Sequence, residues 1–162
     1  MRNIREVEFV RKVKECYIST MSPQDELKYI RFKQRFANFE KARAKFDEYS
    51  RLDTEHDEVA RSALSQAFEF TFDLAWKCMK NMLESEKKIS DDIVFPRDII
   101  KEAFNAKYIP DQNVWTSALD YRNESSHAYD EKLAIKLEEF IRLTYAPALR
   151  SLYEHFKQSF NK

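Results

Sequence analysis

The chain has 162 residues, contains no glycine, and balances 28 basic residues against 28 acidic ones. Average glycine usage predicts about eleven, and hairpin turns, Walker loops and dinucleotide-binding turns all depend on that residue. The composition therefore excludes those nucleotide sites and favours an all-helical fold. Because the net charge is zero, any contact with RNA has to be local, since a dedicated nucleic-acid-binding domain is usually strongly basic.

Residues 1–21 are predicted to be an N-terminal extension without an assigned structure. Ile4, Val7 and Val10 are spaced like one face of a helix, whereas residues 6–9 alternate like a strand. The remaining residues, 22–162, are predicted to form one helical domain large enough to bury a core.

Two long helices are predicted next. Ser22 supplies a hydroxyl cap and Pro23 the first helical position, so a helix starts there and runs to about Tyr49. A second helix spans roughly 57–87. Aromatic residues follow both helices: Phe32, Phe36, Phe39 and Phe46 on the first, and Phe68, Phe70, Phe72 and Trp76 on the second. The second set covers more than one face of its helix, which predicts a central position and an uncovered patch that a second copy buries in a symmetric homodimer.

Three further helices are predicted in the second half of the chain. Pro96 begins a short helix, and Pro110-Asp111 precedes the next one, which leads to Arg122. Asp130 caps the final helix, which Pro147 should kink because proline lacks a backbone donor and its ring crowds the preceding turn.

The segment Arg122-Asn123-Glu124-Ser125-Ser126-His127-Ala128-Tyr129 is the candidate functional site. Arg122 continues the apolar face of its helix, so its guanidinium is expected against packed or interfacial surface, where a permanent charge needs a partner or an anionic ligand. His127 has an ordinary pKa near neutrality. The run Asn-Glu-Ser-Ser favours the end of the helix, and a turn there would bring His127 back toward Arg122, giving a pocket suited to a phosphate.

Each of these residues also has an ordinary structural explanation. Arg122 could form an interfacial ion pair, with Asp120 or Glu124 as local partners. His127 could cap or pack a helix, Asn123 could cap the turn, and Tyr129 could be a half-buried aromatic.

Other site classes are not expected. Cys16 and Cys78 lie far apart, as in a reduced cytosolic chain, and the three histidines His56, His127 and His155 are isolated from one another. No metal site and no cofactor are therefore predicted. No apolar run reaches membrane-spanning length and there is no signal-peptide core, so a soluble, cytoplasmic protein is expected.

Four blocks in consistent order resemble a known family: Arg31–Phe36, Phe68–Lys77, Pro96–Asp98 and Arg122–Asp130. Together they look like the nucleotidyltransferase substrate-binding proteins of the HEPN superfamily, over about residues 29–156. The resemblance implies an up-and-down antiparallel bundle of four main helices plus short ones, and a homodimer with two Arg–His motifs in a shared cleft. Residues 1–21 fall outside the family pattern.

The resemblance also implies a function. In characterised relatives the HEPN protein is the toxin of a two-gene toxin–antitoxin system and a metal-independent ribonuclease, and a separate minimal nucleotidyltransferase (MNT) adenylylates the tyrosine of Arg-x4-His-x-Tyr. Carried onto this chain, Arg122, His127 and Asn123 are catalytic, Tyr129 is the modified residue, and RNA is the substrate, with no DNA or membrane partner. Two alternatives stay open: a non-catalytic subunit that binds substrate or nucleotide for a nucleotidyltransferase, and a helical dimer whose motif is purely structural.

Overall fold

The computed structural model describes residues 22–54, 57–124 and 131–161, and helices take up most of these ranges. They are α1 (Pro23–Tyr49), α2 (Glu58–Ser85), α3 (Pro96–Asn105), α4 (Gln112–Glu124), α5 (Glu131–Phe140) and α6 (Ala146–Asn161), with one π-helical turn at Ile141–Tyr145. No strand occurs within these three ranges. The predicted all-helical class is therefore confirmed. The N-terminal extension, residues 1–21, lies outside the described part of the chain.

Helix α1 begins where the sequence predicts. The Ser22 hydroxyl accepts a hydrogen bond from the backbone N–H of Asp25 at 3.2 Å, and Pro23 takes the first helical position. Both features deal with donors that the first turn of a helix cannot satisfy internally. Three phenylalanines at intervals of nearly two turns then face the bundle and are at most 3% exposed: Phe32, Phe39 and Phe46.

Helix α2 is the central element, because it contacts α1, α3, α4 and α5. Phe68 and Phe72 on its inner side are fully buried, whereas Val59 is 79% exposed and Phe70 is 61% exposed. On the opposite side of α2, six residues point in nearly the same direction, within about 40° of one another's mean, because a helix turns about 100° per residue. We call this set the outer stripe of α2: Val59, Ala63, Gln66, Phe70, Asp73 and Lys77.

Contacts between side chains give the directions of the helices. Asp25 at the start of α1 pairs with Lys87, just beyond the end of α2, at 2.9 Å, so these two helices run antiparallel. Phe32 near the start of α1 packs edge-on against Phe156 near the end of α6, with 5.6 Å between ring centroids, so this pair is antiparallel as well. The up-and-down bundle implied by the family resemblance is confirmed.

Two helices are each followed by a lysine with positive φ, a position that glycine usually occupies but that this chain, without glycine, fills with another residue. Lys87 (φ 56°) follows α2 and Lys107 (φ 65°) follows α3. Two backbone hydrogen bonds close these turns as in a Schellman motif: Lys88 N–H to the Leu83 carbonyl and Tyr108 N–H to the Ala103 carbonyl, each 2.9 Å. A left-handed conformation costs a residue with a β-carbon roughly 1–2 kcal/mol, so packing elsewhere offsets that strain.

The last helical segment changes its hydrogen-bond pattern immediately before Pro147. The N–H of Ala146 donates to the carbonyl of Ile141, five residues earlier instead of four. The sequence predicts that Pro147 interrupts and kinks this helix. Regular α-helix gives way to a wider π-helical turn at Ile141–Tyr145, just before the proline, and the kink stays a prediction. The wider turn leaves room for a ring that would crowd an ordinary turn.

The π-helical turn also carries Arg142, which holds the connection between α1 and α2. Its guanidinium donates to the carbonyls of Ser50 and Leu52 and to the Thr54 hydroxyl, the last two at 2.9 and 3.0 Å. It also pairs with Glu138 at 3.0 Å. Backbone carbonyls outside regular helix need donors from elsewhere, and here one side chain serves two of them.

Candidate functional site

Helix α4 carries the arginine of the predicted motif. The carboxylate of Asp111 accepts a hydrogen bond from the N–H of Asn113 at 2.8 Å, as expected for a helix that starts there. Trp115 and Ala118 are fully buried and anchor the helix against the core. The last turn, residues 122–124, is exposed. Helix α4 is described as far as Glu124, and the predicted end of the helix in the run Asn-Glu-Ser-Ser stays a prediction because residues 125–130 lie outside the described residues.

Arg122 forms an ion pair with Asp73 of α2, with 3.3 Å between Nη2 and Oδ2. The arginine side chain is 42% exposed and the aspartate 33%. The sequence predicts packed or interfacial surface around the guanidinium, with Asp120 or Glu124 as local partners. The structure adds a partner on another helix, Asp73, and leaves the group partly exposed, while its place at an interface stays a prediction. The physical reason is the length of the side chain, which lets the charged group reach from the apolar face of α4 to the solvent edge. Arg122 is thus oriented by a carboxylate and still accessible to a ligand.

A second ion pair lies on the other side of α4. Arg97 of α3 donates to Asp120, with 2.7 Å between Nη2 and Oδ1, and the two side chains are 58% and 51% exposed. Asp120 and Arg122 are two residues apart, which is about 200° around the helix. Asp120 therefore faces α3 while Arg122 faces α2, and the last turn of α4 lies between two arginine–carboxylate pairs.

Of the remaining motif residues, the structure describes Asn123 but not His127 or Tyr129. Asn123 is exposed in the last turn of α4. His127 and Tyr129 belong to 125–130, which lies outside the described residues. The convergence of Arg122 and His127 on one pocket therefore stays a prediction, as does the place of Tyr129 in that pocket.

Asp73 is the site residue that sequence reasoning missed, although it stands in the block Phe68–Lys77 that carries part of the family resemblance. A usable signal exists in that block: Asp73 is a carboxylate in the apolar run Phe72-Asp73-Leu74-Ala75-Trp76, and a charged group in such a run usually has a partner. The identity of the partner depends on packing between helices and cannot be read from local spacing.

Metal and thiol chemistry find no support in the part of the chain that the structure describes. There, no group of three or more histidine, cysteine, aspartate or glutamate side chains is arranged to hold a metal ion. Cys78 is buried, and burial raises the pKa of its thiol to about 12, which makes it a poor nucleophile at neutral pH.

Within the same described ranges, every helix is too short or too polar to cross a membrane.

Comparison with known proteins identifies the family. The family described as nucleotidyltransferase substrate binding protein like matches residues 34–158. The chain belongs to this family. The recognition based on four sequence blocks is thereby confirmed, and the matched range contains both ion pairs and the motif, but not residues 1–21.

Individual relatives agree with this assignment. The chain is similar to the probable ribonuclease HepT of Haemophilus influenzae, with 38% identity over 72 residues, which are 43% of this chain and 49% of the relative. The alignment thus spans about half the length of that protein.

Two solved structures share the helical fold. A crystal structure from Thermus thermophilus has a TM-score of 0.62 and 25% identity, and the match covers 76% of this chain and 99% of that one. A Haemophilus influenzae structure, described as the fold of a substrate binding domain of a nucleotidyltransferase, has a TM-score of 0.58 and 24% identity over 78% of this chain and 96% of that one.

Proposed function

We propose that this protein is a HEPN-type endoribonuclease that cleaves RNA without a metal ion and acts as the toxin of a two-gene toxin–antitoxin system. The observation that carries the proposal is the placement of Arg122: within the family match, it lies at the exposed end of α4 and is held there by Asp73. The name of the Haemophilus influenzae relative, probable ribonuclease HepT, supports the same activity.

The proposed chemistry uses the ribose 2′-hydroxyl as the nucleophile. A base removes its proton, the oxygen attacks the adjacent phosphorus, and the departing 5′-oxygen takes a proton from an acid, which leaves a 2′,3′-cyclic phosphate and a 5′-hydroxyl. Histidine suits both roles because its ordinary pKa lies near neutrality. Arg122 would stabilise the charge that develops on the phosphate oxygens, and Asn123 would add a hydrogen bond. One His127 cannot easily be base and acid in the same turnover, but two can share the work.

A homodimer would supply the second histidine, and the outer stripe of α2 supports this part of the proposal. Val59 and Phe70 are 79% and 61% exposed. Exposed apolar side chains on one helix face are typical of an interface. The apolar part of the stripe leads to Asp73, the partner of Arg122, so two-fold packing along it would bring two copies of the motif into one cleft.

Purified protein tests the activity. Arg122→Ala and His127→Ala should each abolish RNA cleavage in the presence of EDTA, while circular dichroism and thermal unfolding stay close to those of the wild type. Arg150→Ala, which removes an exposed arginine of α6, should cleave normally. Cleavage that survives either of the first two substitutions would contradict the proposed chemistry.

Solution mass tests the dimer. Phe70→Asp should convert the protein to a monomer in size-exclusion chromatography with light scattering, because it places a charge in the middle of the stripe, and it should lower cleavage. Leu143→Asp makes the same kind of change at a residue that is 70% exposed on the π-helical turn and should leave the dimer intact. A wild-type protein that is monomeric at micromolar concentration would exclude both the interface and the two-histidine mechanism.

The proposed antitoxin is a minimal nucleotidyltransferase that transfers AMP from ATP to Tyr129. The tyrosine oxygen would attack the α-phosphorus and pyrophosphate would leave, with the phenolic proton passing to a base of the partner enzyme. The added AMP would bring negative charge and bulk to the phosphate site, so RNA would be excluded by repulsion and by occlusion. Arg122 could pair with the new phosphate.

The second candidate function is a non-catalytic subunit that binds a substrate or nucleotide for a nucleotidyltransferase. The family description itself favours it, and an arginine held by a carboxylate would serve a nucleotide phosphate equally well. Expression of this chain without the proposed nucleotidyltransferase separates the two functions. The ribonuclease should arrest growth, and the arrest should disappear in Arg122→Ala, whereas a binding subunit should leave growth unchanged.

A further inference from the structure

We propose that Arg97 binds an RNA phosphate near the scissile one, so that the RNA strand crosses the end of α4 from Arg122 to Arg97. This inference rests on the proposed function and extends it from the reacting phosphate to the path of the substrate.

The geometry comes from the two ion pairs at the end of α4. Asp73 holds Arg122 on the side of α2 at 3.3 Å, and Asp120 holds Arg97 on the side of α3 at 2.7 Å. The two attachment points on α4 differ by two residues, a rise of about 3 Å and a rotation of about 200°. The two guanidiniums therefore lie near the same end of α4, on opposite sides of its last described turn.

The chemistry of Arg97 suits a phosphate. A guanidinium has five N–H donors, and its side chain here is 58% exposed, with Nη2 on a carboxylate oxygen of Asp120. The exposed part of the group leaves donors accessible to a ligand, and the aspartate orients the planar group in advance, so less freedom is lost when a phosphate binds.

A purely structural explanation accounts poorly for this position. Arg97 is the second residue of α3, in the first turn, where a positive charge opposes the helix dipole. An exposed ion pair of this kind contributes little to stability because water screens it. The net charge of the chain is zero, so an RNA-binding surface has to be assembled from a few local arginines, and these two share one end of the bundle.

Binding of a single-stranded RNA oligonucleotide with 2′-O-methyl groups tests the inference. Such an RNA lacks the attacking hydroxyl and is not cut, so affinity can be measured by fluorescence anisotropy across a series of salt concentrations. One lost phosphate contact reduces the slope of log K against log salt by about 0.7 for a single strand. Arg97→Ala should show that reduction, whereas Arg150→Ala should keep the wild-type slope.

A second substitution in the same ion pair separates contact from structure. Asp120→Asn keeps an oxygen that can accept the hydrogen bond from Arg97 and orient the guanidinium, but it removes a negative charge close to the phosphate, so it should bind RNA as tightly as the wild type or more tightly. Arg97→Lys keeps the charge without the planar group and should fall between the wild type and Arg97→Ala. With cleavable RNA, Arg97→Ala should raise KM by roughly three- to tenfold and leave kcat within about twofold, since the contact is made equally in the ground and transition states.

The outcomes distinguish this inference from the proposed function. Equal weakening by Arg97→Ala and Asp120→Asn, or an unchanged salt slope in Arg97→Ala, overturns the role of Arg97 and leaves the ribonuclease untouched. A wild-type protein that does not bind the oligonucleotide also overturns it. A protein that binds the oligonucleotide through Arg97 but cuts no RNA contradicts the proposed function alone.

Discussion

Replacing Lys107 with glycine should stabilise the fold, because this lysine has a backbone conformation that glycine adopts without strain. Lys107 follows α3 with φ 65°, and the Schellman turn around it holds that angle in place through the bond from Tyr108 to Ala103. Because the chain has no glycine, the residue that ends this helix has a β-carbon, which lies too close to the backbone in the left-handed conformation.

The expected gain is small and can be worked out from three contributions. Relief of the left-handed conformation provides roughly 1–2 kcal/mol. The greater freedom of glycine in the unfolded chain subtracts about 0.4–1 kcal/mol. Loss of the contact between the Lys107 ammonium and the Phe104 ring, 5.4 Å apart, subtracts about 0.5 kcal/mol at an exposed site. At the middle of each range, the net effect is a stabilisation of about 0.3 kcal/mol.

Lys101→Gly is the matched control, because Lys101 is an exposed lysine inside the same helix. Both variants give the unfolded chain the same extra freedom, so their difference reports the native state, that is, the backbone conformation and the contact between Lys107 and Phe104. Glycine inside a helix costs about 1 kcal/mol, which puts the two variants about 1.3 kcal/mol apart, or roughly 3–5 °C in Tm for a chain of this size. Thermal unfolding by circular dichroism measures it. If Lys107→Gly melts no higher than Lys101→Gly, the positive φ carries no strain and the reasoning is wrong.

Three further predictions concern single side chains. Tyr129→Phe should gain no AMP from the cognate nucleotidyltransferase with ATP, as measured by intact mass, and should stay toxic when that enzyme is present. If the Phe variant is still modified and loses its toxicity, Tyr129 is not the acceptor. Arg142→Ala should lower the free energy of unfolding in urea by roughly 2 kcal/mol, because hydrogen bonds from a charged donor to the carbonyls of Ser50 and Leu52 are lost. If the free energy of unfolding changes as little as in Arg150→Ala, the connection between α1 and α2 does not depend on Arg142. Burial raises the pKa of the Cys78 thiol from 9.0 to about 12, so the unfolded chain loses this proton at lower pH than the folded one, and the free energy of unfolding should fall as pH rises from about 9 toward 12. Iodoacetamide at pH 8 should label Cys78 only after urea is added. Labelling of the native protein would contradict this prediction.

The elements that depend on local spacing were predictable from the sequence. The start of α1 needs only the hydroxyl of Ser22 and the ring of Pro23, and its buried face needs only the interval between Phe32, Phe39 and Phe46. Both depend on residues within a few turns of one another, and both are found in the structure.

The candidate site was predictable only in part, because its contacts join distant parts of the chain. Arg122 is identified by its motif, but its partner Asp73 is 49 residues earlier on α2, and only the packing of α4 against α2 brings them together. Asp120 is a plausible partner of Arg122 by spacing, yet it faces the other side of its helix and pairs with Arg97. The roles of His127 and Tyr129 remain predictions.

The π-helical turn at Ile141–Tyr145 bears on how this helix tolerates insertions and deletions. Four buried residues around it repeat every four positions: Leu137, Ile141, Tyr145 and Leu149. In continuous α-helix such a repeat would rotate by about 120° over three steps, and the wider turn absorbs that drift. A chain shorter by one residue, at Leu143 for instance, would space its buried positions four, three and four apart, as regular α-helix requires. Loss of one residue normally turns the rest of a helix about 100° away from the core. In this helix, the loss of one residue at the π-helical turn would leave the same side chains buried. A regular α-helix one residue shorter could therefore fill the same core.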